Sequence, residues 1–353
     1  PDAPGEPGSG GCGADTVAKG PGGNGGGVVR IAATGTVTVD GTISANAWGR
    51  KAWYEASCGS GGSVYITCNV ISGTGRVSAD AEASYTGTGA GGAGGRIAVV
   101  YDTTAQSNAV AAAVTFSAQC GNETGGWTQP GGDLGTVYFP DDQILARGPS
   151  LVKHAGMWLA PGTRLDRDSL TFDGAYIRFM VPGFVLNVTN NLTVKGTDVL
   201  RHKLETTNAV VNCGSILLNK AVLGMLGGGA GVPVLNCQGG MMVSNAAAFR
   251  VYAGVTASPD VPGATVDVEG DLVISHSAWV YPYSHPTNGG SVKFTVGNLR
   301  IPTQNTGINA TGLGFWGGRP KVFTEIPLAA DRFEGWGPGR GKNKIAAGHG
   351  GIG

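Results

Sequence analysis

The chain is poor in charge, poor in aromatic residues and free of long apolar runs, and each shortage removes a class of protein. Charged residues make up 14% and aromatics 7% of 353 positions, with 24 Lys and Arg balanced by 24 Asp and Glu. A net charge of zero with scattered cations leaves no basic stripe to follow a phosphate backbone, so nucleic acid is not an expected partner. No run reaches the roughly 18 to 20 apolar residues that cross a bilayer as a helix, so no membrane span is expected. The N-terminus, Pro1-Asp2-Ala3-Pro4, has neither Met nor a basic stretch followed by an apolar one, and reads as a processed or excised end.

Catalytic and metal-binding signatures are equally scarce. The six cysteines, Cys12, Cys58, Cys68, Cys120, Cys213 and Cys237, form no Cys-x-x-Cys pair, which excludes zinc knuckles and thioredoxin-like motifs. There is no Gly-x-Ser-x-Gly elbow and no His-Glu-x-x-His pair, and Gly341-Lys342 is followed by Asn343, which rules out a phosphate-binding loop. The five histidines lack ligand spacing. Gly87-Thr88-Gly89-Ala90-Gly91-Gly92 precedes a strand-like phrase rather than a helix, so no nucleotide cofactor is expected. Asp166, Asp168 and Asp173 carry carboxylates without a calcium-loop pattern around them. No cofactor or metal is expected.

What is present is glycine, 64 residues of it, among 41% hydrophobic residues. Its clusters lie between apolar runs without the every-third-residue rule of a collagen helix, and the apolar content is too high for a disordered chain. One phrase follows a glycine four times: Gly27-Val28-Val29-Arg30-Ile31, Gly62-Ser63-Val64-Tyr65-Ile66, Gly95-Arg96-Ile97-Ala98-Val99 and Gly135-Thr136-Val137-Tyr138-Phe139. A second phrase sits between them, at Ile43-Ser44-Ala45, Val77-Ser78-Ala79 and Phe116-Ser117-Ala118. Later the wording changes to Val185-Leu186-Asn187-Val188, Val210-Val211-Asn212-Cys213, Val234-Leu235-Asn236-Cys237, Thr265-Val266-Asp267-Val268 and Lys293-Phe294-Thr295-Val296. The later phrases recur about every 25 to 30 residues and the earlier ones about every 35 to 40 residues, both within the range of stacked structural repeats. Steps of that size are one coil of a β-solenoid, each coil burying its apolar face on the next at about 4.8 Å. A sandwich would instead show hairpin turns at much shorter intervals than the repeated phrase.

The expected fold is therefore all-β, a right-handed parallel β-helix with glycine-rich loops and extended terminal arms. It divides into an N-terminal arm (1–20), glycine-rich repeats (21–140), regular coils (141–300) and a C-terminal tail or cap (301–353).

The order of phrases over roughly residues 20 to 140, with Gly41-Thr42-Ile43-Ser44-Ala45-Asn46, Gly59-Ser60-Gly61-Gly62 and Gly91-Gly92-Ala93-Gly94-Gly95 between the strands, resembles glycine-rich β-helical modules of very large extracellular and surface-anchored proteins. The resemblance implies a secreted or cell-surface, adhesin-like or matrix-like chain and a structural rather than catalytic role. This sequence departs from the pattern where Trp48, Arg50, Lys51, Trp53, Tyr54 and Cys58 interrupt a loop, which marks a contact surface.

Gly348-His349-Gly350-Gly351 and Pro4-Gly5-Glu6-Pro7-Gly8-Ser9-Gly10-Gly11 stand at opposite ends of the chain. Head-to-tail linkage to further copies, or to flanking modules, through Pro4, Pro7, Cys12, His349 and Ile352 is the expectation; trimming of a longer chain is the alternative. Cys213 and Cys237 hold one place in adjacent coils and are the best disulfide pair, against an unbonded thiol ladder in the core. Cys12, Cys58, Cys68 and Cys120 allow three pairings. Sequons stand at Asn122, Asn187, Asn191 and Asn309. Trp48, Trp53, Tyr54, Trp279, Tyr281 and Tyr283 are candidate contacts for a neighbouring subunit or a glycan. The competing function is polysaccharide binding or cleavage, for which Asp141-Asp142 would supply carboxylates; a solvated turn is the plainer reading of that pair.

Overall fold

The computed structural model describes residues 3–13, 21–48, 56–82, 90–121, 132–148, 150–199, 201–228, 231–257 and 261–316. Every strand pairing among them is parallel, and partners lie one coil apart in sequence. The repeated phrases become the rungs of a solenoid-like stack. In the main sheet Val28 is in register with Ser63, Ser63 with Arg96 and Arg96 with Thr136, which are the glycine-led phrases in order. Ile43, Val77 and Phe116 align in the same way.

Among the described residues the main sheet has 14 strands. Its longest path runs from Val28–Ala32 through Ser63–Cys68, Arg96–Tyr101, Thr136–Tyr138 and Ala155–Leu159 to Trp279–Tyr283 and Gly307–Ile308. A second sheet of nine strands begins at Leu151–Val152 and ends at Ser291–Arg300, and a two-stranded sheet joins Thr36–Thr38 to Val70–Ser72. In the second sheet Val188, Cys213, Cys237, Val268 and Val296 form one column, and Leu192, Ile216, Met241, Leu272 and Leu299 another. The main sheet crosses residue 140 without a break, since Thr136 pairs with Met157. What changes there is the material beside the sheet.

The core is a set of inward columns. Alternation places Val64, Ile66, Val99 and Phe116 inside at essentially zero exposure, as the two-residue period of a strand requires. Aromatic rings fill the middle of the stack: Phe179 lies on Phe184 at 4.8 Å, and Trp158 meets Phe179 edge-on at 5.6 Å. Trp158 is 2% exposed and its indole N–H has no partner, so apolar packing alone holds it. Coil corners at Asn208, Lys220, Asn245 and His276 adopt left-handed φ of 47°, 49°, 54° and 53°, a region in which asparagine is the most tolerant of the larger residues.

The glycine-rich segments form a layer of their own. Hydrogen bonds from one coil to the next recur at every third residue: Gly23 N–H to Ser57 C=O and Gly26 N–H to Ser60 C=O, then Cys58 N–H to Ala90 C=O and Gly61 N–H to Ala93 C=O. A period of three is that of a polyproline-II-type extended helix, whose backbone groups point sideways to neighbouring chains. The packing is too close for side chains. A Cβ at Gly26 would stand 1.9 Å from the Ala45 carbonyl oxygen, and one at Gly62 would stand 1.9 Å from that of Gly27.

Candidate assembly and contact surfaces

Both ends of the stack expose columns that are closed one coil further in. At the N-terminal end Val29, Ile31, Val37 and Ile43 are half-buried, whereas their register partners Val64, Ile66, Ile71 and Val77 are fully buried. At the other end Val292, Phe294 and Val296 are half-buried over buried Ala264, Val266 and Val268, and Leu299 is 48% exposed over Leu272 at 1%. Strand Ser291–Arg300 follows the out-in alternation of an inner strand, and among the described residues it pairs only with Pro262–Ile274. Among the described residues, the sole helix is Thr103–Ser107, which follows the third strand of the main path and whose Gln106 side chain bonds to the backbone of Ile71.

The arm is extended and docks onto the glycine layer of its own chain. Gly8 and Gly11 donate to the carbonyls of Gly26 and Gly23, while Ser60 and Ser57 donate to the carbonyls of Ser9 and Cys12. It thus lies along the seam between the first and second coils. The Ser60 hydroxyl accepts from Ser9 N–H at 2.8 Å, and Ser63 Oγ donates to the Glu6 carbonyl at 2.6 Å. Pro4 is buried, Pro7 and Cys12 are exposed, and His349 and Ile352 lie outside the described residues.

Cys213 and Cys237 are register partners on adjacent coils, buried at 4% and 1% exposure. All six cysteines are thiols in the structure. The contact with Cys237, together with burial, pushes the Cys213 thiol far up. Burial also raises Cys58, Cys68 and Cys120. Cys12 and Cys58 lie on neighbouring strands of the glycine layer, Cys68 is at the end of a main-sheet strand opposite Tyr101, and Cys120 packs beside Leu134, Ala155 and Tyr176.

The sequons differ in accessibility. Asn187 is built into a ladder that no sequence motif signals: its Nδ2 donates to Asp166 at 2.7 Å, Asn212 donates to Asn187 at 2.7 Å, and Asn236 donates to Asn212 at 2.8 Å. Asp166 terminates the ladder as an acceptor, and Arg164 at 2.7 Å and Asn187 hold its carboxyl below the usual range. Asn191 is exposed and accepts from Ser215 at 2.6 Å; Asn309 caps a turn by accepting from Thr311 N–H at 2.9 Å. Asn122 lies outside the described residues.

Trp48 is the most exposed of the candidate aromatics at 68%, anchored by backbone bonds to Asn24, whereas Trp53 and Tyr54 lie outside the described residues. Trp279, Tyr281 and Tyr283 are half-buried on one strand, and Tyr283 stacks on Tyr252 with centroids 4.1 Å apart. Arg250, in register with Tyr281, has a buried Nε with no partner.

The Asp141-Asp142 pair is not the solvated turn that the sequence suggests. Asp141 accepts from the Tyr101 hydroxyl and from Gln143, and Asp142 pairs with Arg167 at 2.7 Å, so both carboxylates tie a turn to the sheet. Two of the calcium candidates are similarly engaged, Asp166 with Arg164 at 2.7 Å and Asp173 at 3.6 Å from both Lys153 and Lys195. Among the described residues, no group of three or more His, Cys, Asp or Glu converges as a metal site, and no helix is long and apolar enough to cross a membrane. No protein-family model, curated protein or solved structure matches this chain.

Proposed function

We propose that the chain is a structural module of an extracellular or cell-surface filament or adhesin-like assembly, coiled as a right-handed parallel β-helix and joined end to end with copies of itself or with similar modules. The hand follows from the strong preference of parallel crossovers for right-handed connection. Secretion, disulfide formation in an oxidising compartment and glycosylation at exposed sequons belong to the same reading, and the role is mechanical rather than catalytic.

The observation that carries it is the pair of open ends. Both are edges of parallel sheets running in one direction, so a translation along the axis brings unpaired strands and half-exposed columns together. Covering eight such side chains at about 1 kcal/mol each gives on the order of 8 kcal/mol. That is comparable with the roughly 4 to 15 kcal/mol lost on association, so linkage should depend on concentration. The main path is eleven strands deep, and at about 4.8 Å per coil a filament would repeat every ~53 Å.

Gly27 provides the test. A Cβ there meets nothing within 4 Å, whereas one at its register equivalent Gly62 meets the Gly27 carbonyl at 1.9 Å. Gly27→Ala should therefore leave the monomer intact and stop end-to-end growth, read by electron microscopy and sedimentation. Filaments that form equally well with this variant, or a parent chain that stays monomeric at high concentration, would refute the reading.

A second reading, binding or cleavage of a polysaccharide on the lateral face, draws on Trp279, Tyr281 and the Tyr252–Tyr283 stack beside the unpartnered Arg250 Nε. Retention on an acidic polysaccharide that is lost with Trp279→Ala, while filaments are unaffected, would favour it.

A further inference from the structure

The seam filled by the arm has a neighbour of the same construction. In the first seam the arm bonds to the carbonyls of Gly23 and Gly26 on one side and to the N–H groups of Ser57 and Ser60 on the other. Register carries each of these one coil along: Ser63 pairs with Arg96, so Cys58 and Gly61 take the places of Gly23 and Gly26, and Ala90 and Ala93 those of Ser57 and Ser60. The bonds within the layer repeat accordingly, with Gly61 N–H to Ala93 C=O at 2.9 Å standing for Gly26 N–H to Ser60 C=O at 2.9 Å. The outward groups do not repeat. Among the described residues, the C=O groups of Cys58 and Gly61 and the N–H groups of Ala90 and Ala93 have no hydrogen-bond partner, and Ala93 is exposed. Backbone groups at every third position that have no partner among the described residues are the complement of another extended strand.

The strand that fits is narrowly defined by the first seam. A Cβ on Gly8 would lie 2.3 Å from the Ser60 carbonyl oxygen and one on Gly11 would lie 2.0 Å from that of Ser57, so the occupant needs glycine at both of these places. We propose that the second seam is a docking site for the glycine-rich arm, residues 4–12, of a second copy of the chain. This rests on the reading of the chain as an assembly module and adds a lateral contact to its ends. The chain's own arm prefers the first seam for a visible reason: Ser60 offers a hydroxyl to Ser9 N–H, and Ala93 in the equivalent place cannot. The second seam is therefore the weaker of the two and open to exchange between copies.

The test uses the full chain and a fluorescent synthetic peptide of residues 3–13, followed by anisotropy. Saturable binding with one peptide per chain is expected, together with slowed amide exchange at Ala90 and Ala93. Doubly substituted peptide, Gly8→Ala with Gly11→Ala, should bind at least about tenfold more weakly. Ala93→Ser in the chain restores the missing hydroxyl and should tighten binding about fivefold, the effect of one neutral hydrogen bond. Ala93→Pro removes the N–H while suiting the extended backbone and should weaken binding about tenfold or more. No binding, equal binding of the alanine peptide, or protection confined to Ser57 and Ser60 through displacement of the resident arm would overturn the proposal. A peptide of residues 345–353, which contains Gly348-His349-Gly350-Gly351, that binds where the arm peptide does not would also overturn it. Peptide binding should persist in the Gly27→Ala chain; its loss there would assign the peptide to the open end instead of the seam.

Discussion

His154 is fully buried against Phe116 and Phe139, with ring centroids 5.3 and 5.9 Å away. Its Nδ1 accepts the Phe116 N–H at 3.1 Å, and its Nε2 faces the Ile144 carbonyl at 2.9 Å, which makes Nε2 the protonated nitrogen of a neutral ring. Burial, with the nearby Arg147 cation acting in the same direction, lowers its pKa from 6.5 to about 4. Because the folded value is depressed, the unfolded chain takes up a proton below pH 6.5 that the folded chain refuses. Stability from this residue is thus complete above pH 6.5 and lost as the pH falls towards 4. A gap of that width at roughly 1.4 kcal/mol per pH unit corresponds to about 3 kcal/mol. Protonation would also silence Nδ1 as an acceptor and orphan the Phe116 N–H. Urea unfolding at pH 7.5 and pH 4, with amide exchange at Phe116 as a local readout, should show a loss about 3 kcal/mol larger in the parent chain than in His154→Gln. Equal acid sensitivity in the two chains would refute this account.

Three further outcomes are expected. Gly62→Ala should destabilise the glycine layer by more than about 2 kcal/mol in a thermal melt, because an oxygen of fixed backbone must move; a melt matching that of Gly27→Ala would contradict the contact. Asn187→Ala removes the middle of a hydrogen-bonded ladder and should reduce stability by about 1 to 3 kcal/mol, whereas Asn191→Ala, on the exposed surface, should be close to neutral. Under reducing, native conditions an alkylating reagent should modify exposed Cys12 first and reach Cys213 and Cys237 only on unfolding; mass spectrometry of the chain oxidised in air then tests the Cys213–Cys237 disulfide through loss of two hydrogens.

The register of the coils is legible because inward positions must be apolar and recur at the same place in each phrase. Val188, Cys213, Cys237, Val268 and Val296 align by eye and form one column. The asparagine ladder stands one position before the first three of these, and no motif marks it beyond the sequon at Asn187, since its meaning arises when Asn187, Asn212 and Asn236 stack. The glycine layer is harder to see. Glycine has no side chain to mark which way it faces, and hydrogen bonds at every third position disappear in a chain with glycine at so many places. His154 looks like any other histidine in the sequence; its setting comes from Phe116, Phe139 and Ile144, which converge only after the coils stack. The Asp141-Asp142 turn misleads for a related reason, as Tyr101 and Arg167 arrive from coils on either side of it.

Register partners in the main sheet are never far apart along the chain: Lys203 meets Val222 at the near extreme and Arg96 meets Thr136 at the far one. Each new coil therefore closes a loop of similar size whatever the total length, and the entropy of closure does not grow from coil to coil. Folding can spread from any formed pair of coils as a growing front, at a rate set by one step rather than by the whole chain. The arm is the exception. It bonds to Gly23 and Gly26 in the first coil but also to Ser57 and Ser60 in the second, so it can be seated only after both have formed. It acts as a latch closed last, and an early unfolding event should begin by releasing it.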